Sequence, residues 1–296
     1  MAGAATLNDD PVRAGAPDGG LPVDLHATRA VLREMAVRAA DMIATIPDPA
    51  RKANRLEWSL AETAAHMIFA LRVYAGSVRG DLGAYLPHMP ASNDYRERMA
   101  AVTASTLSVE PERDPRRLAG LLVEAVDDFL AASQHRWVNE RIPTPWYREG
   151  ASLPLGAATC LLLGEMVAHG FDIARTLGRP WPIDRRTALL VVPAPFAMMP
   201  LVVDPARSRG VSARYAVHIR GGQDACITFR DGAVSVTPRG RDGGRIDCHL
   251  SADPVAFVML GWGRLSLWSG IARGQLLAYG RRPWLGLGLR ALFYNP

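Results

Sequence analysis

Glu165 and His169 stand four residues apart in an apolar stretch that includes Leu161, Leu162, Val167 and Ala168. On a helix this spacing puts both side chains on one face, one turn apart, the arrangement that a single cation needs. A carboxylate and an imidazole among such neighbours are costly to desolvate unless they are paired or bound to a metal. His66, flanked by Ala64, Ala65, Ile68 and Phe69, is the natural third member. Two facing helices that contribute inward Glu and His side chains are a known way to hold a divalent ion. Two imidazoles and one carboxylate suit Zn²⁺ with an open position, or Fe²⁺ or Ni²⁺, and zinc is the first choice. The alternative left open by spacing alone is that Glu165 and His169 bond to each other and His66 is a satisfied core histidine.

These residues need helices to position them. Leu25, Leu32, Met35, Ala36, Ala39 and Ile43 recur at helical spacing between Val23 and Ile46, and Pro47 ends the run. Ser59 and Glu62 form a capping box that opens a second helix, reaching about Val78. A short helical piece fits Tyr95 to Ser108. Asp114-Pro115 starts a third long helix that runs toward Trp137. After a loop over 142–154, a fourth spans Gly156 to Leu177 and stops at Gly178-Arg179-Pro180. Beyond a Pro-rich connection over 181–204 the pattern changes. Residues 213–220, 224–230, 233–238 and 245–250 read as strands, with a hairpin turn at Arg230-Asp231-Gly232. Asp253-Pro254 then begins a helix to about Leu260. The expected fold class is α+β: a tail over 1–21, disordered by composition, a four-helix bundle over 22–180, the connection, and a small α+β domain over 205–296.

The segment Trp58-Ser59-Leu60-Ala61-Glu62-Thr63-Ala64-Ala65-His66 resembles the start of the second helix in the DinB-like superfamily. Gly164-Glu165-Met166-Val167-Ala168-His169-Gly170-Phe171-Asp172 resembles the E-x-x-x-H-x-x-D helix of its mycothiol-dependent maleylpyruvate isomerase branch. The resemblance covers about residues 22–180 and implies a divalent metal held by His66, Glu165 and His169. Asp247-Cys248-His249-Leu250-Ser251-Ala252-Asp253-Pro254, Gly261-Trp262-Gly263-Arg264 and Ile271-Ala272-Arg273-Gly274-Gln275-Leu276 are similar to the sterol-carrier-protein-like fold, which relatives carry in reduced form. That likeness implies that Arg264 faces the metal cleft and binds an anionic substrate or thiol, with Arg273 as second choice; a surface or fold-supporting arginine is the equal alternative for Arg264. The tail departs from the isomerase pattern at Tyr279-Gly280-Arg281-Arg282-Pro283-Trp284 and the Gly/Leu-rich run after it, which a larger apolar pocket would explain.

Asp172 can orient a metal-bound imidazole from the second layer, although a helix-surface ion pair is the simpler reading. Trp58, Trp146 and Tyr147 are candidates for the mouth of the bundle. Cys248 has nothing to activate it beyond an adjacent His249 that a strand turns to the opposite face.

Composition removes other classes of function. Apolar residues make up 49% and charged residues 21%, near the globular average. Among 34 basic residues Lys52 is the single lysine, and arginines interspersed with 29 acidic residues form no block, which argues against a nucleic-acid partner. Cys160, Cys226 and Cys248 make no disulfide framework and fit a reducing cytoplasm. The N-terminus lacks the basic and apolar regions of a signal peptide. The uncharged stretch from Thr187 to Val203 is short of the ~20 residues of a membrane span and is interrupted by prolines. No Gly-x-Gly-x-x-Gly or Walker-type loop is present.

The sequence therefore reads as a metal-dependent enzyme that activates a low-molecular-weight thiol, mycothiol, for attack on an electrophilic small molecule by transfer or cis/trans isomerisation. An actinobacterial source and a place in secondary metabolism are compatible with it. The alternatives are a carrier of an apolar ligand in the C-terminal domain, and a cyclase or isomerase that needs no thiol.

Overall fold

The computed structural model describes residues 20–85, 92, 94–240 and 243–294. The tail expected over 1–21 lies almost wholly outside them. Helix α1 (Leu25–Ile43) is capped by Asp24, whose carboxylate accepts from the Ala27 amide, and it buries Leu32, Met35, Ala36, Ala39 and Ile43. In α2 (Leu60–Arg79) the capping box forms as expected. The Glu62 amide donates to Ser59 Oγ at 3.2 Å, and the Ser59 amide donates to the Glu62 carboxylate at 2.7 Å. Helix α3 (Tyr95–Val109) follows, and its buried Arg98 donates to the carbonyls of Ser92 and Pro145. Asp114 caps α4 (Pro115–Ala132), which ends five residues before the expected Trp137 and leaves that ring exposed.

The loop over 142–154 is more ordered than its prolines suggest. Strands β1 (Arg141–Pro143) and β2 (Ser152–Pro154) pair antiparallel and carry Trp146 and Tyr147 inward between them. Helix α5 (Leu155–Leu177) then runs through the middle of the molecule and closes on Gly178 in the left-handed region, φ 68°. It is the described helix long and apolar enough to cross a membrane, yet most of it is buried against other helices. Helices α1, α2, α4 and α5 pack on one another as the expected bundle.

The segment 181–204 corrects the reading of a plain connection. It forms α6 (Arg185–Val191) and α7 (Pro193–Val202), both packed on α5. Pro193 and Pro195 fall in the first turn of α7, where amide hydrogens have no partner within the helix, and Pro200, inside the helix two residues from its end, removes one helical hydrogen bond without stopping it before Val202. Asp184 supplies the cap, accepting from the Thr187 amide at 2.6 Å.

After the short α8 (Pro205–Ser208), a five-stranded sheet is built from β3 (Ala213–Ile219), β4 (Asp224–Arg230), β5 (Ala233–Pro238), β6 (Cys248–Ala252) and β7 (Leu276–Tyr279). Their order is β5-β4-β3-β6-β7, with β3 and β6 parallel and the other neighbours antiparallel. The β4–β5 turn sits at Asp231 and Gly232, both with positive φ, as a two-residue hairpin requires. Strand β6 begins three residues later than expected. Asp253 caps α9 (Pro254–Gly261), and the Gly-rich tail adds α10 (Leu267–Ala272), α11 (Trp284–Gly288) and a 3-10 turn over Leu289–Leu292. The chain is therefore a mixed helix-and-sheet protein, and the corner after α9 is the part of the sheet half that reaches α5.

Candidate functional site

Helices α2 and α5 bring His66, Glu165 and His169 together. One ligand atom from each lies within 4.8 Å of the other two. Both histidines present Nε2 to the same carboxylate oxygen, Glu165 Oε2, at 3.4 Å from His66 and 3.1 Å from His169. Their rings meet edge to face at 4.9 Å, with Trp58 tilted over His66 at 4.7 Å. The Nδ1 atoms of both histidines are buried and without a well-aligned hydrogen bond among the described residues. A convergent donor set of two imidazole Nε2 atoms and one carboxylate fits a divalent first-row cation.

The charges at this site are balanced against burial. Burial acts to raise the Glu165 pKa, but hydrogen bonds and charge from His169 and His66 prevail and hold it well below the usual carboxylate range. Burial lowers His66 more than Glu165 raises it, so this ring is pressed toward its neutral form. In His169 burial also works downward, yet contacts with Asp172 and Glu165 outweigh it and the pKa is raised. The guanidinium of Arg264 opposes protonation of both rings.

The corner after α9 adds two contacts that spacing alone does not reveal. Trp262 donates its indole N–H to Glu165 Oε1 at 3.1 Å, so the second carboxylate oxygen is also held. Its outer ring lies against Gly164, where an added Cβ would come within 2.2 Å of it. Two residues on, Arg264 binds Asp172 with two prongs, Nε at 3.1 Å and Nη2 at 2.5 Å, and donates from Nη1 to the Trp262 carbonyl. Asp172 Oδ2 in turn stands 3.4 Å from His169 Nδ1. The carboxylate of Asp172 is 1% exposed, which overturns the reading of a helix-surface pair.

Arg264 thus reaches the site, and its guanidinium is committed to protein groups, as the fold-supporting alternative has it. Arg273 does not reach it at all: it is exposed at the end of α10 and lines no part of the cavity. The second C-terminal arginine there is Arg290, which donates to the Phe293 and Tyr294 carbonyls and whose pKa burial lowers. Nothing in the Gly/Leu-rich tail marked it in advance. Cys248 is buried, its thiol pKa raised by that burial, and it takes no part in the site.

His66, Glu165, His169, Trp262, Arg264 and Arg290 border one cavity of about 500 Å³, walled by α2, α3, α5, α7 and the C-terminal segment. Trp58, Trp146 and Tyr147 line it, as proposed for the bundle mouth. Tyr74 lines it too, and was missed because a tyrosine in an apolar helix reads as core. Tyr74 and Tyr147 meet hydroxyl to hydroxyl at 3.1 Å.

Residues 38–174 match the family model of the mycothiol maleylpyruvate isomerase N-terminal domain. The crystal structure of a mutant of the mycothiol-dependent maleylpyruvate isomerase is similar over 86% of this chain and 92% of its own, at 11% identity and a TM-score of 0.48. A second structure of the mycothiol-dependent maleylpyruvate isomerase covers the same shares at 13% identity and 0.44. The stereoselective inverting sec-alkylsulfatase Pisa1 from Pseudomonas sp. is similar over 78% of this chain and 32% of its own, at 17% identity and 0.32. No curated protein matches the chain.

Proposed function

We propose, from the match of residues 38–174 to the mycothiol maleylpyruvate isomerase N-terminal domain model, that this chain is a metal-dependent enzyme using mycothiol to attack an electrophilic small molecule. The observation that carries the reading is the convergence of His66, Glu165 and His169 at the wall of a largely apolar cavity. These three residues would hold the ion, with zinc the first choice. When bound, such an ion supplies a lowered thiol pKa, so that thiolate is present at neutral pH.

The chain's own residues do the rest. Glu165 is fixed by the indole of Trp262 on one oxygen and by two imidazoles on the other. Asp172, clamped by Arg264, stands behind His169 and fixes its orientation. The aromatic and aliphatic walls exclude water, which strengthens electrostatic interactions inside. Arg264 acts in this account as a positioning residue, and the substrate meets the cavity wall instead of its guanidinium.

The apolar walls also favour a second reading, a carrier that encloses an apolar ligand without transforming it. Elemental analysis of the purified protein, beside His66→Ala and Glu165→Ala, is the first test. About one zinc or similar ion per chain, absent from both variants, is expected. Mycothiol with candidate electrophiles should then give turnover in the wild type alone. No metal in a wild type that is folded, with both variants folded as well, overturns the enzyme reading and leaves the carrier. Turnover without thiol would point to an isomerase or cyclase that needs none.

A further inference from the structure

The cavity is within the ordinary range for small-molecule sites, ~300–1,000 Å³. Apart from the polar cluster on α5, its walls are largely side chains such as Phe69, Met99, Leu161, Met198, Met199 and Val202. Unbranched methionines adapt their shape to bulky apolar ligands. The acids already described have partners in the protein: Glu165 faces two histidines, and Asp172 is held by Arg264.

Tyr74 and Tyr147 are different. Their hydroxyls are 3.1 Å apart. Two hydroxyl protons are then shared by a pair that needs one of them for its own contact. One hydroxyl proton is left without an acceptor inside the cluster, and both tyrosines line the cavity. Either hydroxyl can be the donor within the pair; Tyr74 is 4% exposed and Tyr147 is half-buried, so Tyr147 is the one better placed to offer the spare proton to the cavity. Burial raises the pKa of both, Tyr147 to about 12, which keeps this proton in place at neutral pH.

We infer that the ligand of this cavity is an apolar, ring-sized molecule with an uncharged oxygen acceptor such as a carbonyl, and that Tyr147, backed by Tyr74, is the donor that reads this oxygen. That this ligand is the electrophile rests on the reading given under Proposed function; the binding site itself does not need a thiol.

The test is equilibrium binding to the full chain without thiol, read by quenching of Trp58, Trp146 and Trp262 in the cavity wall. Chalcone and trans-stilbene are the probes, alike in their two rings but with a carbonyl only in the first. Wild type should bind chalcone on the order of fivefold more tightly, the effect of one net hydrogen bond. The double variant Tyr74→Phe/Tyr147→Phe should bind both equally, with stilbene affinity unchanged, which also shows that it folds. Equal affinities in the wild type, a preference that survives in the double variant, or binding of neither probe would each overturn the inference. Addition of mycothiol separates the two proposals. Conjugate addition forms a sulfur–carbon bond, breaks the carbon–carbon π bond and delivers the thiol proton to the neighbouring carbon, so the adduct mass is the sum of both reactants. A tyrosine-dependent preference with no adduct counts against the thiol reading and keeps this site; an adduct without the preference does the reverse.

Discussion

The helical half and the sheet half contribute to the cavity in opposite ways. From α2 and α5 come the side chains with donor atoms for a cation, His66, Glu165 and His169. The corner after α9 contributes none of these, only an indole N–H and a guanidinium that hold the carboxylates of α5 in place. One half carries the reactive groups and the other fixes their geometry. A bundle alone would leave Asp172 buried against an empty face, so the site is complete only where the two halves dock.

The largest expected effect breaks this dependence directly. Arg264→Met leaves a buried carboxylate without its counter-charge and should cost about 3–5 kcal/mol of stability in urea unfolding. The double variant Arg264→Met/Asp172→Leu should regain most of that loss. If Arg264→Met unfolds like the wild type and loses only turnover, the arginine belongs to substrate binding after all and the comparison fails. Next comes Gly164→Ala, whose methyl group would enter the Trp262 ring. Overpacking of this kind costs about 1–3 kcal/mol, and the shifted indole should be visible in tryptophan emission. Trp262→Phe sharpens the contrast more gently, because it keeps an aromatic ring at this corner while it removes the donor to Glu165 and the outer ring edge that meets Gly164. Zinc affinity should fall about tenfold, measured by competition with a chromophoric chelator, with little change in fold.

The smallest effect concerns pH. Tyr147 has a pKa raised from 10.0 to about 12, so the folded chain keeps its proton after the unfolded chain has begun to lose it. Its contribution to stability is complete below pH 10 and declines as pH rises from there toward about 12. In alkaline denaturation the wild type should therefore lose stability over that window more steeply than Tyr147→Phe.

Much of the helical half was legible because its signals are local. Ser59 with Glu62, Gly178 before Arg179-Pro180, and the four-residue interval from Glu165 to His169 each state their geometry within a few positions. Helices α6 and α7 were hidden because proline was read as a breaker, although Pro193 and Pro195 sit in the first turn of α7, where they are harmless, and Pro200 comes so near its end that little helix is left to break. Arg273 and Arg290 are equally plausible in the chain, and only the path of the tail brings the second to the cavity. Asp172 sits on a helix with polar neighbours at Arg175 and Thr176, so its burial depends on a partner 92 residues away that no local pattern announces.

That interval also orders events while the chain is being made. At ~5–20 residues per second, Asp172 leaves the ribosome roughly 5–20 seconds before Arg264 exists to neutralise it. Throughout that interval α5 carries a carboxylate that the closed bundle cannot shelter, and Gly164 offers a notch with no ring to fill it. The bundle is therefore a nascent intermediate with one unsealed face, and a stalled or truncated chain ending before residue 262 would present that face to chaperones and proteases.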